Sequence, residues 1–428
     1  MRILITGATG FIGSHIATAA TEAGHQLVLC ARDTNLVTRR FPDAEVIQVD
    51  FTRDFDTALW LQRVKDIDIV INTVGIIREH GSQTFDALHR DTPIALFRAC
   101  EIAGVKRVIQ ISALGADVSA HSHYHLSKRA ADRQLASLKL DWVILMPSIV
   151  YGPNAKSMAL FKALSNLPLI PLVDAGDQQI QPIHIDDLVS AVLHCIETDQ
   201  PMQKRIELVG PEPITMKALH GNLRHWLGYP PARFISLPYS VALGFAKWSG
   251  LLGCAPIDDG AMRMLQRGNT GDVTAYVETF GHLPKHFIQA LDELPAQQSD
   301  RWHAGLYFLR PMLRWSIAFV WLFTAIVSLF LVPTEVSYGM LAKTGISEAW
   351  APLFLYGASS IDLFIGLAVL FRFYPSQIGW LQILLIIVYT LIISFTQPEH
   401  WLHPFGPVSK NAPLIISILI LLVLEQKS

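Results

Sequence analysis

The sequence predicts a doubly wound parallel α/β sheet through residues 1–292 and, after a linker at 293–312, an all-α bundle of four membrane-crossing helices over 313–428. Three observations carry this. From residue 1 to about 150, short β-branched runs alternate with helical stretches, the pattern of a parallel sheet covered by helices on both faces. From residue 313 the chain changes to long apolar runs separated by short polar loops. The composition agrees: 51% of the 428 residues are hydrophobic and only 16% charged, and the mean hydropathy of +0.34 leans toward a membrane protein.

The strands are expected at residues 2–6, 26–31, 45–49, 68–72, 107–111 and 142–145. They are apolar on both faces, as buried parallel strands are. Residues 150–290 supply a smaller substrate-side region, some of which must return to the sheet. Within it, Asp186 reads as the N-cap of a helix over 187–197 and His184 as structural. A lightly charged apolar helix over 237–252, with Phe245, Trp248 and Leu251, admits two readings: core, or a surface lying against a bilayer. Residues 293–304 break the pattern.

Charge and cysteines exclude several classes. A net charge of -2 with no Lys/Arg run offers nucleic acid no footprint, so it is not the expected partner. Cys30, Cys100, Cys195 and Cys254 are scattered with no CxxC pair. They read as reduced thiols of a cytosolic domain, with no disulfide framework or metal site. Met1 and Arg2 precede the first strand too closely for a signal peptide, so this part is expected in the cytoplasm.

The chemistry concentrates where strands end. Gly7-Ala8-Thr9-Gly10-Phe11-Ile12-Gly13 follows the first strand and opens a helix. Glycines let the backbone turn sharply and approach a pyrophosphate, while the helix N-terminus aims N–H groups at it. The spacing is GxxGxxG rather than GxGxxG, and the strand–turn–helix context makes it a nucleotide cradle. Ligands of such sheets bind at the carboxyl ends of strands, which here carry Gly7, Arg32, Asp50, Asn72, Thr73, Val74, Gly75 and Ser112. Arg32 ends the second strand, where a cation favours the 2′-phosphate of NADP and a carboxylate favours NAD. Adjacent Asp33 is capable of the opposite role, so NAD stays open.

Tyr124 and Lys128 lie four apart on one helix face. There the ammonium can lower the phenol's pKa and hold a nicotinamide ribose, while Ser112 orients a substrate carbonyl that Tyr124 protonates.

These motifs, taken with Ile111–Asp117, residues 146–153 and residues 181–187, resemble an atypical, extended short-chain dehydrogenase/reductase. The branch they resemble is that of the nucleotide-binding accessory subunit of respiratory complex I. The resemblance covers residues 1–290 and implies a Rossmann-type domain with bound NADP(H) and a cofactor set that includes Pro147. It leaves catalysis open, because that branch includes proteins that hold the nucleotide without a known reaction.

In the last third, residues 313–332, 353–371 and 378–395 approach the length of a bilayer's hydrocarbon core, and 413–424 is shorter. Arg301, Arg310, Arg314, Arg372 and Lys427 fall on one side of a four-helix arrangement, Lys343 and Lys410 on the other. This places both termini in the cytoplasm and the chain in the inner membrane. Residues 403–406 and 409–414 resemble the DoxX-like four-helix membrane family. Asp362 lies mid-span on a face with Ala358 and Gly366 and admits two readings, functional acid or neutral structural group.

The function expected is that of a membrane-anchored NADP(H)-dependent oxidoreductase. It would transfer hydride to or from a lipophilic carbonyl or alcohol such as a quinone, isoprenoid or acyl compound. The alternatives are a non-catalytic nucleotide-binding subunit or sensor of a membrane assembly, and an NAD-dependent epimerase.

Overall fold

The computed structural model describes residues 1–153, 155–244, 262 and 266–426. It divides into two compact units, Met1–Ala304 and Gly305–Ser428.

In the first unit, strands β1 (Arg2–Thr6), β2 (Gln26–Ala31), β3 (Glu45–Gln48), β4 (Ile69–Asn72), β5 (Arg107–Ile111) and β6 (Asp141–Pro147) fall within a residue or two of expectation. Three two-stranded contacts follow in the substrate-side region. They join β7 (Val150–Tyr151) to β10 (Ile183–His184), β8 (Ile170–Val173) to β13 (Phe234–Leu237), and β9 (Gln179–Ile180) to β12 (Ile214–Thr215). Between them β11 (Lys204–Leu208) returns to the main sheet, the strand the sequence left unplaced.

The seven-stranded sheet runs β11-β6-β5-β4-β1-β2-β3, and every neighbouring pair is parallel. The chain leaves β1 toward β2 and β3, then crosses back to β4 on β1's other side. The β1/β4 boundary is therefore the switch point, where loops diverge and leave a crevice.

The period-two alternation of strands sorts side chains into two cores. Ile3 and Ile5 join Ile16, Ala17 and Ala20 of α1 (Phe11–Glu22) on one face. On the other, Leu4 joins Trp60 of α3 (Thr57–Arg63) and Leu96 and Phe97 of α4 (Thr92–Ala103). Asp33 caps α2 (Thr34–Arg40), and α5 (His123–Ala136) opens on Ser122. α6 (Lys156–Asn166) and α8 (Met216–Trp226) cover the substrate side.

Asp186 is not the N-cap it resembled. α7 (Ile185–Glu197) starts earlier, capped by His184, whose Nδ1 accepts from the Asp186 N–H at 3.3 Å. Asp186 sits in the first turn and pairs with Lys285 at 3.2 Å. Of the helix expected over 237–252, residues 239–244 are helical and residues 245–252 lie outside the described ones. Helices α9 (Thr274–Phe280) and α10 (Phe287–Glu293) close the unit. The expected linker stretch carries the end of α10 and the first turns of α11 (Gln298–Ile326).

Among the described residues three helices have the length and apolarity to cross a membrane: the 34-residue Gln298–Leu331, which begins before the boundary of the second unit, the 20-residue α13 (Ala351–Leu370) and the 22-residue α14 (Pro375–Thr396). A short α12 (Thr334–Lys343), which the sequence reading missed, precedes α13. The fourth apolar helix, α15 (Asn411–Glu425), has 15 residues, about 22 Å at about 1.5 Å per residue. Gly366 and Gly379 set the packing: a Cβ would sit 2.6 Å from Leu322 Cγ or 2.4 Å from Leu422 Cδ2. Asp362 is buried inside this unit, as its small-residue face implied. Large apolar side chains on the outer faces, among them Phe364, Leu384 and Leu391, are exposed, as they are where lipid replaces water.

Candidate active site

The glycine turn lies at the switch point, and its three glycines do different things. Gly7 adopts φ +76°, a region side chains disfavour, and its carbonyl accepts the Gly10 N–H at 2.8 Å. Gly13 is where α1 meets β1 and β4: a Cβ there would lie 2.3 Å from Gly7 O and 2.6 Å from Thr73 Oγ1. Gly10, the residue preceding α1, is exposed, and its Cβ would meet only Gly7 O, at 3.1 Å. Two glycines are thus required by the protein's own packing, while the third faces open space at a helix N-terminus. That is the shape a phosphate cradle requires. Thr9 beside it is exposed, and Phe11 and Ile12 are half-buried at the helix entry.

At the next strand ends, Asp33 and Arg32 divide. The Asp33 carboxylate accepts Asn35 N at 3.0 Å as a helix cap, whereas Arg32 is exposed, its backbone carbonyl accepting from Gln48 and its charge felt by Asp50. Asp50 accepts Thr52 N and Thr52 Oγ1 at 3.0 and 2.8 Å and so holds the turn after β3.

Asn72 is fully buried. Its Oδ1 accepts from Thr6 Oγ1 at 2.6 Å and its Nδ2 donates to Gln110 Oε1 at 2.7 Å. Its side chain ties β1, β4 and β5 together at the crevice floor instead of reaching into the crevice. The backbone that follows, Val74 and Gly75, forms the wall. Pro147 ends β6, and its carbonyl accepts the Leu114 N–H at 2.9 Å, which fixes the loop after Ser112.

Lys128 reaches from α5 under this wall, donating to Val74 O at 3.2 Å and Ile111 O at 3.1 Å. A Cβ on Gly75 would sit 3.2 Å from its Nζ, so a glycine gives the ammonium its place. Burial lowers the Lys128 pKa to about 8, with the Asp132 carboxylate opposing.

Tyr124, one turn earlier, packs edge-on to His89, with ring centroids 5.3 Å apart. Its phenol differs from expectation: burial first, and then Asp132, push its pKa up to about 12. Lys128 does not offset this rise. At neutral pH the phenol is therefore a proton donor and not a base.

Ser112 follows β5 and donates its hydroxyl proton to Asp132 Oδ2 at 2.5 Å. Asp132 is fully buried, with Arg205 Nη2 3.5 Å away, and its pKa is raised to about 6 by burial against the pull of Ser112, Arg205 and Lys128. Sequence reasoning missed Asp132, although Tyr124, Lys128 and Asp132 recur every four residues on one helix face. It also missed His89, which has no local signal. The His89 Nε2 accepts the Ile76 N–H at 3.0 Å, and its Nδ1 lies 3.1 Å from Ser127 Oγ. Burial holds this imidazole neutral, far below its usual range, so it braces the wall against α5.

A parallel sheet with a glycine cradle at its switch point and a buried lysine at the neighbouring strand ends is the arrangement of an NAD(P)-binding, oxidoreductase-like Rossmann domain. Comparison with known proteins makes this particular. Residues 3–210 match the NAD dependent epimerase/dehydratase family and residues 318–419 the DoxX-like family, so the chain joins an epimerase/dehydratase-like domain to a DoxX-like one. Among its relatives is subunit 9 of the NADH dehydrogenase [ubiquinone] 1 alpha subcomplex of Arabidopsis thaliana. It is 26% identical over 256 residues, 56% of this chain and 61% of that protein. The ceramide reductase of Caulobacter vibrioides is 29% identical over 241 residues, 55% of this chain and 73% of that one. Thus the match spans about three-fifths of the plant relative's length. Among solved structures, the NADPH-dependent quinone oxidoreductase of Escherichia coli complexed with NADPH superposes with a TM-score of 0.55 at 20% identity, covering 68% of this chain and 99% of that one. That likeness is one of fold.

Proposed function

We propose that the chain is a membrane-anchored NADP(H)-dependent reductase of lipophilic carbonyl compounds, its nucleotide-binding unit and both termini facing the cytoplasm at the inner membrane. The observation that carries the reading is the open face of Gly10 at the start of α1, together with Lys128 reaching the ends of the neighbouring strands at Val74 O and Ile111 O. The residues fit a dinucleotide: Gly10 leaves room for a pyrophosphate, exposed Arg32 suits a 2′-phosphate, and Lys128 lies under the wall formed by Val74 and Gly75. When bound, the cofactor would supply hydride chemistry. The protein's part is to deliver the proton. Tyr124 holds it at neutral pH, and Ser112 orients the accepting oxygen once its own proton is released from Asp132.

Lipophilicity is supported by side chains on the loops around the site. Ile77, after β4, is 69% exposed and Val118, after β5, is 87% exposed. The similar ceramide reductase of Caulobacter vibrioides, named for a lipid substrate, supports the same class. Topology is supported within the membrane unit by the contact of Arg314 with Glu425, which brings the first and last apolar helices to the same end, as an even number of crossings requires.

A second reading has its own observation. The Ser112 proton is committed to Asp132 and the phenol is not activated, as suits a domain that holds a nucleotide for stability within a membrane assembly. NADPH oxidation by the whole chain in detergent, with a membrane lipid extract as acceptor, separates the two. Oxidation that disappears in Tyr124→Phe supports the reductase, whereas NADPH binding without oxidation supports the scaffold.

A further inference from the structure

We propose that Arg310 and Arg372 hold the headgroup of an anionic phospholipid at one end of the membrane unit, with the start of an acyl chain in the cleft beside them. The inference rests on the reading that these helices lie in a bilayer. Arg310 and Arg314 stand one turn apart on α11, Arg372 follows α13, and Glu425 ends α15. Among the described residues Glu425 is the carboxylate these three guanidinium groups share.

Glu425 is spent on one of them. Its Oε1 accepts from Arg314 Nε at 2.6 Å, and the pair is buried, with side-chain exposures of 11% and 6%. Arg372 stands off at 3.9 Å and is half exposed. Arg310, within electrostatic reach of all three, has a buried Nε with no hydrogen-bond partner among the described residues. Two cationic groups are thus in excess, and one has a donor turned inward without an acceptor. A buried guanidinium N–H left unpaired is costly, and a phosphate oxygen matches it in charge and geometry.

The backbone supports the same place. Arg372 and Tyr374 both adopt positive φ, +59° and +41°, in a turn whose Phe373 N–H returns to Ala368 O at 2.8 Å. Non-glycine residues rarely hold that conformation, and here it carries Arg372 to the mouth of an open cleft. The cleft, shallow and open to the outside, lies between α13, α14 and α15 and is lined by Val369, Ile378, Leu421 and Leu422 below Arg372 and Glu425.

Apolar walls under a cationic rim fit a phosphodiester carrying hydrocarbon better than a free anion. Tyr374 and Trp380, each 60% exposed, stand at the same end, where interfacial aromatic residues lie at headgroup depth.

The test uses the full chain in mixed micelles containing phosphatidylglycerol or, with the same acyl chains, phosphatidylcholine. Melting is followed by tryptophan fluorescence and retained lipid by native mass spectrometry. Phosphatidylglycerol is expected to raise the Tm saturably by several degrees more than phosphatidylcholine and to remain as an adduct. Arg310→Gln/Arg372→Gln should lose that difference, while Lys343→Gln/Lys410→Gln at the other end should keep it. Should the double variant fold poorly, Arg372→Gln alone, at a half-exposed site, should lower phosphatidylglycerol affinity about tenfold. Equal shifts with both lipids, an undiminished preference in Arg372→Gln, or the same shift from inorganic phosphate alone would overturn the site. Alkaline carbonate extraction tests the bilayer reading separately. A chain washed from membranes sinks both ideas, whereas a chain that stays but shows no lipid preference sinks only this one.

Discussion

Replacing Gly13 and Gly10 separately should split stability from nucleotide binding, since the turn uses the two glycines for different purposes. In Gly13→Ala the new methyl lies 2.3 Å from Gly7 O and 2.6 Å from Thr73 Oγ1. Neither neighbour is free to give: one is backbone, and the other is held by Thr6 O at 2.7 Å. Overpacking of this kind costs roughly 1–3 kcal/mol, and loss of the Thr73 hydrogen bond adds about 1 kcal/mol. The expected fall in Tm is about 5–15 °C, from the usual few degrees per kcal/mol. In Gly10→Val the backbone, at φ −76° and ψ 166°, already suits a β-branched residue, and the nearest protein atom is 3.1 Å from the Cβ. Only the weaker cap counts, about 1 kcal/mol, but the side chain fills the space assigned to the pyrophosphate. NADPH affinity should drop by about 100-fold or more, which is about 2.7 kcal/mol. Differential scanning fluorimetry and calorimetric NADPH titration of the full chain read both quantities. Unchanged NADPH affinity in Gly10→Val, or a parental melting curve in Gly13→Ala, would refute this division of roles.

Arg32→Glu should weaken NADPH much more than NADH, because it sets a like charge against the 2′-phosphate; equal losses in titrations with the two nucleotides would count against NADP. Tyr124→Phe should retain NADPH binding while turnover of a lipid carbonyl falls about 10²–10⁴-fold, and Lys128→Met should impair both; restored cell function by Tyr124→Phe but not by Gly10→Val would favour the scaffold. Asp132→Asn removes a charge that raises the phenol's pKa, so the alkaline limb of the kcat/KM profile should move to lower pH. The same variant has a stability signature. The folded-state pKa of Asp132 is raised from 3.8 to about 6, so its contribution is fully present below about pH 4 and lost as pH rises through about 6. Tm measured from pH 4 to 7 should decline less in Asp132→Asn than in the parent.

What was legible in the sequence was local or periodic. Six strands could be read from β-branched runs, the cradle from a glycine turn between strand and helix, and α13 and α14 from uninterrupted apolar length. What was not legible depends on partners distant in the chain. Lys204–Leu208 is a short run with three charged residues of five, and its pairing with β6 makes it a seventh strand. Asn72 resembles a ligand-facing residue at a strand end, yet Gln110, 38 residues away, turns its amide into the sheet. His184 displaced Asp186 as the cap because α7 begins two residues earlier than the acidic pair implied.

The same limit decides what can be said of the chemistry. YxxxK spacing places a phenol and an ammonium on one face but is silent about which charge dominates between them. Burial raises the Tyr124 pKa, and Asp132, one turn further on the same periodicity, adds to the rise. A donor phenol and a Ser112 proton held by a carboxylate form a resting arrangement suited to protonating a carbonyl oxygen and poorly suited to removing a proton from an alcohol. In a catalytic chain this is the state that would meet a carbonyl, and the reverse reaction would start from the ionised phenol. The release of the Ser112 proton from Asp132 then becomes the event on which the active site turns.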